Sequence, residues 1–319
     1  MAIYDNPRLL VKVCRLFYED NFSQKEISSM LGISRPQISR MLNYAKENNI
    51  VQITIQNPYT HEISIEQKLM DQYHLKGAFV TDILYKNSDE MRMKLGEQCA
   101  EQLDTYLTDF SSVGVMSGKT IAAVANAAHR LNRAGLEFIP LVGCMGPRGQ
   151  SWQANLIAQT LAQKTGGSYC TLDAPVLMQS DEARQYMLKE PAIAKVLEKG
   201  THCNVILVGI GQISTTSTAY EGGAFVREDI TDLISKGAVA SVCTSYLTSE
   251  GKIIDTPLNS RSIGLPLRKN DKTTVIAIVA GPNKIEPTKA ALASGFIDVL
   301  MTTLDFAEQL LDENRKVIR

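Results

Sequence analysis

The first fifty residues carry apolar side chains at helical spacing, interrupted by short polar turns. Residues 9–18 predict an amphipathic helix with an apolar stripe formed by Leu9, Leu10, Val13, Cys14 and Phe17. Residues 24–31 predict a two-turn helix whose inward face holds Ile27, Met30 and Leu31. Gly32 ends this second helix, because a residue without a Cβ tolerates the left-handed backbone of a sharp turn.

A third helix is predicted to begin at Ser34. Its hydroxyl can cap the first amides, and Gln37, three residues later, completes a capping box. Pro36 lies in the first turn, where a missing N–H has no cost. The predicted inward stripe is Ile38, Met41, Leu42 and Ala45, and the outward face is Arg35, Gln37, Ser39, Arg40 and Asn43.

Two short helices joined by a turn that contains glycine are typical of a helix-turn-helix, whose second helix enters the major groove of DNA. Arginine can pair with guanine and glutamine with adenine, while serine reaches phosphates or base edges. The residues predicted to contact double-stranded operator DNA are Gln24, Ser34, Arg35, Gln37, Ser39 and Arg40. The alternative is an ordinary helical hairpin with a solvated polar face.

Three neighbouring features favour DNA binding over the plain hairpin. The helix at residues 9–18 can complete a three-helix core. Ile50, Ile53 and Ile55 alternate with polar residues, which predicts a short strand or wing. Residues 1–57 contain seven Lys and Arg against five Asp and Glu, so this segment is mildly basic. The prediction is a winged helix-turn-helix over residues 1–57.

A second domain is predicted over residues 58–319, because Asn57-Pro58 disfavours continued helix. Apolar runs of strand length alternate there with helical stretches. The predicted strands are residues 78–81, 113–116, 138–142, 204–208, 239–243, 274–279 and 298–301. The predicted helices are residues 63–73, 90–107, 120–132, 155–163, 287–294 and 304–314. Near-continuous apolar strands alternating with helices predict an α/β fold with a mostly parallel sheet.

Glycine-rich loops follow four of the predicted strands, at residues 117–120, 143–149, 209–212 and 280–284. Carboxyl ends of parallel strands share one sheet edge, so the loops together predict a polar crevice suited to phosphate. Lys119, Arg148 and Lys284 would lie at its rim, and Gly211 and Gln212 belong to the third loop. Any one such loop, taken alone, is more simply a tight turn without a ligand.

Neither nucleotide hydrolysis nor other catalysis is predicted. The Gly118-Lys119-Thr120 sequence lacks the earlier glycine of a Walker A loop, because position 113 is valine. We find no nucleophile elbow, and the four histidines are dispersed along the chain. No catalytic residue and no cofactor is therefore expected.

Composition narrows the class of protein further. The net charge of −1 excludes a generally basic protein, so DNA affinity must come from a local surface, and we expect several copies of it to act together. Six scattered cysteines predict reduced thiols rather than disulfides or a zinc site, and no other metal site is expected. No apolar run approaches the ~20 residues that cross a bilayer, and no secretory signal is visible, so a cytoplasmic protein without membrane contact is expected.

The order of motifs resembles the SorC/DeoR-type sugar-binding transcriptional regulators. These motifs are SQKEISSMLGISRPQISRMLNYAKENNIVQITI, GVMSGKT, VGIGQIS, GAVASV, RSIGLPL and IVAGPNKIEPTKAAL. The resemblance covers essentially the whole chain. It implies an effector domain related to phosphosugar isomerases and coenzyme A transferases, a homo-oligomer that is a tetramer, and a phosphorylated sugar or polyol as the effector of a carbohydrate-utilisation operon.

The resemblance also implies which residues surround the effector. It places Ser117, Gly118, Lys119, Thr120 and Lys284 around the phosphate, with Gln153 and Arg148 in a ligand loop. Three positions depart from the family pattern. Ser241 stands where many members have an acidic residue, Val142 where some have a Schiff-base lysine, and Gly281-Pro282 replaces the usual Gly-Gly. The alternative function is a DNA-tethered sugar-phosphate isomerase-like enzyme, because the implied fold also serves catalysis.

Overall fold

The structure is a computed structural model that describes residues 6–53, 59–147, 151–268 and 271–312. The chain divides into two compact units, residues 1–58 and residues 59–319. We call them the N-terminal unit and the effector unit, and describe each by itself.

The N-terminal unit contains three helices, α1 (Pro7–Tyr18), α2 (Gln24–Leu31) and α3 (Arg35–Glu47). They bury one small apolar core. Its buried members are Leu10, Val13, Cys14, Ile27, Ile38, Met41, Leu42 and Ala45. All eight were expected from helical spacing, but Met30 is not among them and is 56% exposed. Of the three residues predicted on the inward face of α2, Ile27 is buried and Leu31 packs partly buried against the core, while Met30 points away from it.

Caps fix the geometry of the turn between α2 and α3. Gly32 adopts the left-handed conformation, with φ 65° and ψ 26°, as predicted. Ser34 begins α3, and its N–H and hydroxyl both donate to Gln37 Oε1, at 3.2 and 2.9 Å. A second capping box, between Ser23 and Glu26, begins α2. Local backbone conformation and capping hydrogen bonds therefore set where α2 ends and where α3 begins.

The predicted wing is not formed by the residues that the structure describes after α3. Residues 50–53 contain no strand, and Ile50 and Ile53 are both exposed. Ile55, the third member of the alternating pattern, lies outside the described residues.

The effector unit alternates helices with strands. Its helices are α4 (Thr60–Tyr73), α5 (Ser88–Gln102), α6 (Lys119–Ala127), α7 (Ala154–Thr165), α8 (Asp181–Lys189), α9 (Pro191–Thr201), α10 (Thr218–Glu221), α11 (Arg227–Ser235), α12 (Pro257–Arg261), α13 (Ile285–Ala293) and α14 (Leu304–Leu311). Its strands are β1 (Gly77–Thr81), β2 (Ser112–Val115), β3 (Glu137–Pro140), β4 (Ser168–Tyr169), β5 (Val205–Val208), β6 (Gly211–Gln212), β7 (Ala240–Val242), β8 (Ser245–Leu247), β9 (Ile253–Ile254), β10 (Thr274–Ile278) and β11 (Val299–Thr303).

Seven of these strands form a fully parallel sheet in the order β1-β11-β10-β5-β2-β3-β4. Successive side chains of each strand point to opposite faces, and both faces are buried. In β10, Val275 and Ala277 join one core while Ile276 and Ile278 join the other. Helices α5, α6 and α7 cover the second core, and α4, α9, α13 and α14 cover the first. The predicted mostly parallel α/β fold is confirmed.

Several predicted elements were displaced or shortened. The predicted strand at residues 239–243 is β7, which belongs to a separate antiparallel sheet of order β6-β7-β8-β9 rather than to the parallel one. The helix predicted over residues 120–132 ends at Ala127. The helix predicted over 90–107 is α5 followed by a 3₁₀ turn at Leu103–Tyr106. Within the described part of the chain, no helix is both long and apolar enough to span a membrane.

Candidate functional site

Strands β10, β5 and β2 are neighbours in the sheet, and their carboxyl ends open into one cavity. The cavity has a volume of about 280 Å³. Three of the four glycine-rich loops line it, and the fourth contributes Met145. Of the residues predicted to bind the effector, the cavity is lined by Ser117, Gly118, Lys119, Thr120, Gly211, Gln212 and Lys284.

The loop after β2 brings the start of helix α6 to the cavity. Ser117 Oγ accepts a hydrogen bond from Ala154 N at 3.0 Å, and Gly118 N donates to the carbonyl of Trp152 at 2.9 Å. Both bonds tie this loop to the beginning of α7. Helix α6 then starts at Lys119, and Lys119, Thr120 and Ile121 all line the cavity. The first amides of a helix lack intrahelical acceptors, so the cavity wall carries donors for an anion.

Lys284 lies in the loop after β10 and lines the same cavity as the start of α6. Its Nζ donates to the carbonyl of Ile210 at 2.9 Å. Burial, followed by the nearby charges of Arg92 and Lys119, lowers the pKa of this ammonium group to about 8. The cavity therefore holds more positive charge than its own residues neutralise.

Lys119 has a carboxylate partner from a distant part of the chain. Its Nζ lies 2.6 Å from Glu221 Oε2 at the end of α10. The two side chains are 40% and 42% exposed, so water screens the pair.

Arg92 is a cavity residue that sequence reasoning missed. It lies on α5, its side chain is 25% exposed, and it pairs with Asp89 one turn earlier. An i,i+3 pair of this kind is typical of a solvated helix face. Only the packing of α5 against α6 brings Arg92 to the strand ends, so no local signal in the sequence could have identified it.

The side chain of Gln153 forms hydrogen bonds to the loop after β3. Its Oε1 accepts from Met145 N at 2.9 Å, and its Nε2 donates to the Gly146 carbonyl at 3.4 Å. Gln153 is buried and is not among the described residues that line the cavity. It holds the loop after β3, which reaches the cavity through Met145. Arg148, also predicted to bind the effector, lies outside the described residues.

The part of the cavity wall near β6 and β7 carries several polar, uncharged side chains. Gln212 Nε2 donates to Ser214 Oγ at 2.9 Å and to Thr216 Oγ1 at 2.7 Å. Ser241, one of the departures from the family pattern, also lines the cavity. A Cβ on Gly211 would lie 2.2 Å from Ser241 Oγ, so Gly211 is needed where β6 meets β7. Hydroxyl and amide groups of this kind can donate hydrogen bonds to the hydroxyl groups of a ligand and accept hydrogen bonds from them.

The residues predicted to contact DNA differ in how exposed their side chains are and in the hydrogen bonds that these side chains already make. Arg35 is exposed, while Gln24 and Ser39 are half-buried. Arg40 is exposed, and its Nε donates to the Pro36 carbonyl at 3.3 Å. Gln37 uses its Oε1 in the cap with Ser34, so pairing through both atoms with adenine would require giving up that cap.

The N-terminal unit has three helices, and the third begins with a capping box and exposes Arg35 and Arg40. The second unit is an α/β fold with a cationic cavity. Together these features define a ligand-responsive transcriptional regulator. The sugar-binding domain model Sugar-bind matches residues 57–312, and the chain belongs to this family.

Two relatives support that assignment, and a third shares the fold. The chain is 26% identical over 311 residues to the deoxyribonucleoside regulator of Bacillus subtilis (strain 168), covering 97% of this chain and 99% of the relative. A DeoR family transcriptional regulator from Listeria monocytogenes is 30% identical with a TM-score of 0.71, covering 78% of this chain and 99% of that one. The full-length sorbitol operon regulator SorC from Klebsiella pneumoniae shares the fold, with a TM-score of 0.74 at 24% identity over 97% of this chain and 99% of that one. The predicted SorC/DeoR-type resemblance is confirmed.

The lowered pKa of Lys284 predicts a pH-dependent contribution to stability. Its folded-state pKa of about 8 lies below the ordinary value of 10.5, so between these values the unfolded chain holds a proton that the folded chain has lost. The difference in free energy of unfolding between the wild type and Lys284→Met should therefore increase as pH rises from about 8 to 10.5. Below about pH 8 this difference should not depend on pH. Chemical denaturation of both proteins at pH 7, 8.5 and 10 measures this. A difference that does not change with pH would contradict the assignment.

Proposed function

We propose that this transcriptional regulator controls a carbohydrate-utilisation operon and that a phosphorylated sugar or polyol bound in the cavity switches it. The observation that carries the proposal is the convergence of Lys119, Lys284 and Arg92 with the start of α6 in one small cavity. A phosphate group brings about two negative charges at neutral pH, and it accepts several hydrogen bonds at once.

The electrostatics of the cavity favour an anion over a neutral sugar. The Nζ of Lys284 donates to a backbone carbonyl rather than to a carboxylate, and its pKa is lowered by burial and by the two neighbouring cations. An anion placed among these groups would attract the cations and raise the pKa of Lys284 again. The amides of the first turn of α6 add neutral donors that need no rotamer ordering.

The uncharged wall suits the remainder of such a ligand. Gln212, Thr216 and Ser241 supply hydrogen-bonding groups for hydroxyls on the side of the cavity formed by β6 and β7. The names of the relatives agree with a small polyhydroxylated effector, since one is a deoxyribonucleoside regulator and another a sorbitol operon regulator.

We further propose that the cavity binds its ligand without converting it. The described residues that line it include no carboxylate and no imidazole, the groups that isomerases most often use as a general base. Cys243 is the one thiol among them, and burial raises its pKa to about 12, which keeps it protonated. Incubation with sugar phosphates, followed by product analysis, tests this, and turnover would favour the isomerase-like alternative.

We propose that α3 reads the operator in the major groove and that the protein acts as a homo-oligomer, a tetramer. Paired N-terminal units would read a two-fold related operator, and a second pair would add affinity without new kinds of contact. The small net positive charge of one unit supports this, because few phosphate contacts give weak binding at physiological salt.

Arg35→Ala and Arg40→Ala should each weaken operator binding, because both side chains are exposed at the first turns of α3. Loss of a base contact should cost ~1–3 kcal/mol and relax specificity at one base pair, whereas loss of a phosphate contact should weaken all sequences alike. Fluorescence anisotropy with wild-type and single-base variant operators separates these cases. Arg15→Ala is the control, since Arg15 pairs with Glu19 on α1. Wild-type affinity in both variants would contradict this role.

The homo-oligomer should be measurable directly. Light scattering on the full chain at micromolar concentration should give the mass of a tetramer, both alone and on operator DNA. At dilutions at which the tetramer dissociates, operator binding should become steeper with protein concentration, because the units must then assemble on one site. A monomer that binds its operator tightly at physiological salt would overturn the proposal.

Lys119→Ala and Lys284→Ala should leave operator binding without effector nearly unchanged, because neither residue belongs to the N-terminal unit. Each should raise the sugar phosphate concentration needed for the response by roughly 10- to 100-fold, since a hydrogen bond to a charged group contributes about 1.5–3 kcal/mol. DNA-binding titrations with and without sugar phosphate measure the shift. Lys236→Ala, at the residue that follows α11 and outside the cavity lining, is the control. An equal response to the unphosphorylated sugar would count against a phosphate site.

A further inference from the structure

We propose that the Glu221 carboxylate is an internal competitor for the effector's anionic group at Lys119. In the absence of effector, Glu221 occupies this ammonium group, and effector binding displaces it and moves the segment that carries it. This inference rests on the proposed phosphate site. We call residues 213–225, which lead from β6 through α10, the cover segment.

The contact joins two parts of the chain that are distant in sequence. Lys119 Nζ lies 2.6 Å from Glu221 Oε2, and the two residues are 102 positions apart. The other carboxylate paired with a cavity cation is Asp89, which lies one turn from Arg92 on the same helix and can stay paired without moving another segment. Glu221 therefore differs from Asp89, because it ties the cover segment to the start of α6.

The cover segment also forms part of the cavity wall. Thr216, Ser217, Thr218, Ala219 and Phe225 all line the cavity. A ligand that enters must fit against this segment and at the same time meet Lys119, which the segment already holds through Glu221. A carboxylate and a phosphate are both oxyanions that seek the same ammonium donors, so the two compete for one place.

The exchange is favoured once a phosphate is present. The Lys119–Glu221 pair is about two-fifths exposed on both sides, and pairs of this kind are weak. The carboxylate brings one negative charge to one cation. A phosphate brings about two charges and can also reach Lys284, Arg92 and the first amides of α6. Displacement therefore replaces a weak contact by several stronger ones.

Close backbone packing links the cover segment to the loop after β3. A Cβ on Gly222 would lie 2.1 Å from the Met145 carbonyl oxygen, and one on Gly146 would lie 2.5 Å from the Gly222 carbonyl oxygen. Met145 is in turn held by Gln153. A shift of the backbone at Gly222, next to Glu221, would therefore act on this loop, because the two backbones are in direct contact.

Trp152 offers a built-in reporter of that movement. It is the chain's single tryptophan. Its ring lies against Gly222, since a Cβ there would be 2.9 Å from the ring carbon Cη2. Its carbonyl also accepts the Gly118 amide next to Lys119. Intrinsic fluorescence therefore reports on both partners of the proposed exchange.

The experiment uses the full chain and inorganic phosphate as the probe. Phosphate affinity is measured by calorimetry and by Trp152 emission for wild type, Glu221→Gln, Glu228→Gln and Lys119→Ala. Glu221→Gln keeps the size of the side chain and removes the competing charge, while Glu228→Gln removes the same charge from an exposed position on the adjacent helix α11. Removing a competitor of this strength should tighten phosphate binding roughly two- to fivefold in Glu221→Gln alone.

Emission gives a second, independent readout. Without phosphate, Trp152 of Glu221→Gln should already emit more like phosphate-saturated wild type, because the segment is released. If Glu221→Gln binds phosphate no more tightly than wild type while Lys119→Ala weakens it, the phosphate site stands and the competitor role is wrong. If wild type and Lys119→Ala bind phosphate equally, or neither binds it, the proposed phosphate site itself is wrong and this inference fails with it.

Discussion

Parallel pairing in a sheet buried on both faces is the constraint on which the effector unit depends. Parallel strands need a crossover between each pair, and here helices on both faces supply it. The arrangement places every carboxyl end at the same edge. Because β10, β5 and β2 are adjacent in the sheet order, the loops that follow them meet although they are far apart in sequence. The cavity is a direct consequence of this order.

Positive charge gathered at that edge opposes folding and favours binding. Burial of Lys284 near Arg92 and Lys119 holds its pKa at about 8, which means that the charged form is less favourable in the folded chain than in the unfolded chain. An anionic ligand stabilises the charged form, so part of the free energy that burial of these cations costs on folding is recovered on binding. When no ligand is bound, Glu221 offsets part of the charge at Lys119. This contact is screened by water and is weak enough for an anionic ligand to replace it.

The sequence predicted those features whose causes are local. Apolar runs such as residues 274–279 identified buried strands, and Gly32 with Ser34 identified the turn between α2 and α3. The antiparallel sheet escaped prediction because β6, β8 and β9 are two or three residues long and have no readable period. Arg92 and Glu221 escaped because only tertiary packing brings them to Lys119. Gln153 was assigned to the ligand by resemblance, whereas its hydrogen bonds hold the backbone at Met145.

Regulation requires that a ligand bind two arrangements of the protein with different affinities, and useful couplings are about 1–3 kcal/mol. A rigid cavity that only surrounded a phosphate would bind it without transmitting anything. Under the proposed exchange, the cover segment supplies a difference between two arrangements, because the negative charges of Glu221 and an effector anion repel each other at Lys119. The energy needed for coupling is of the same order as one exchanged charge pair. A single carboxylate in a short helix is therefore sufficient to couple occupancy of the cavity to the position of a segment of the effector unit.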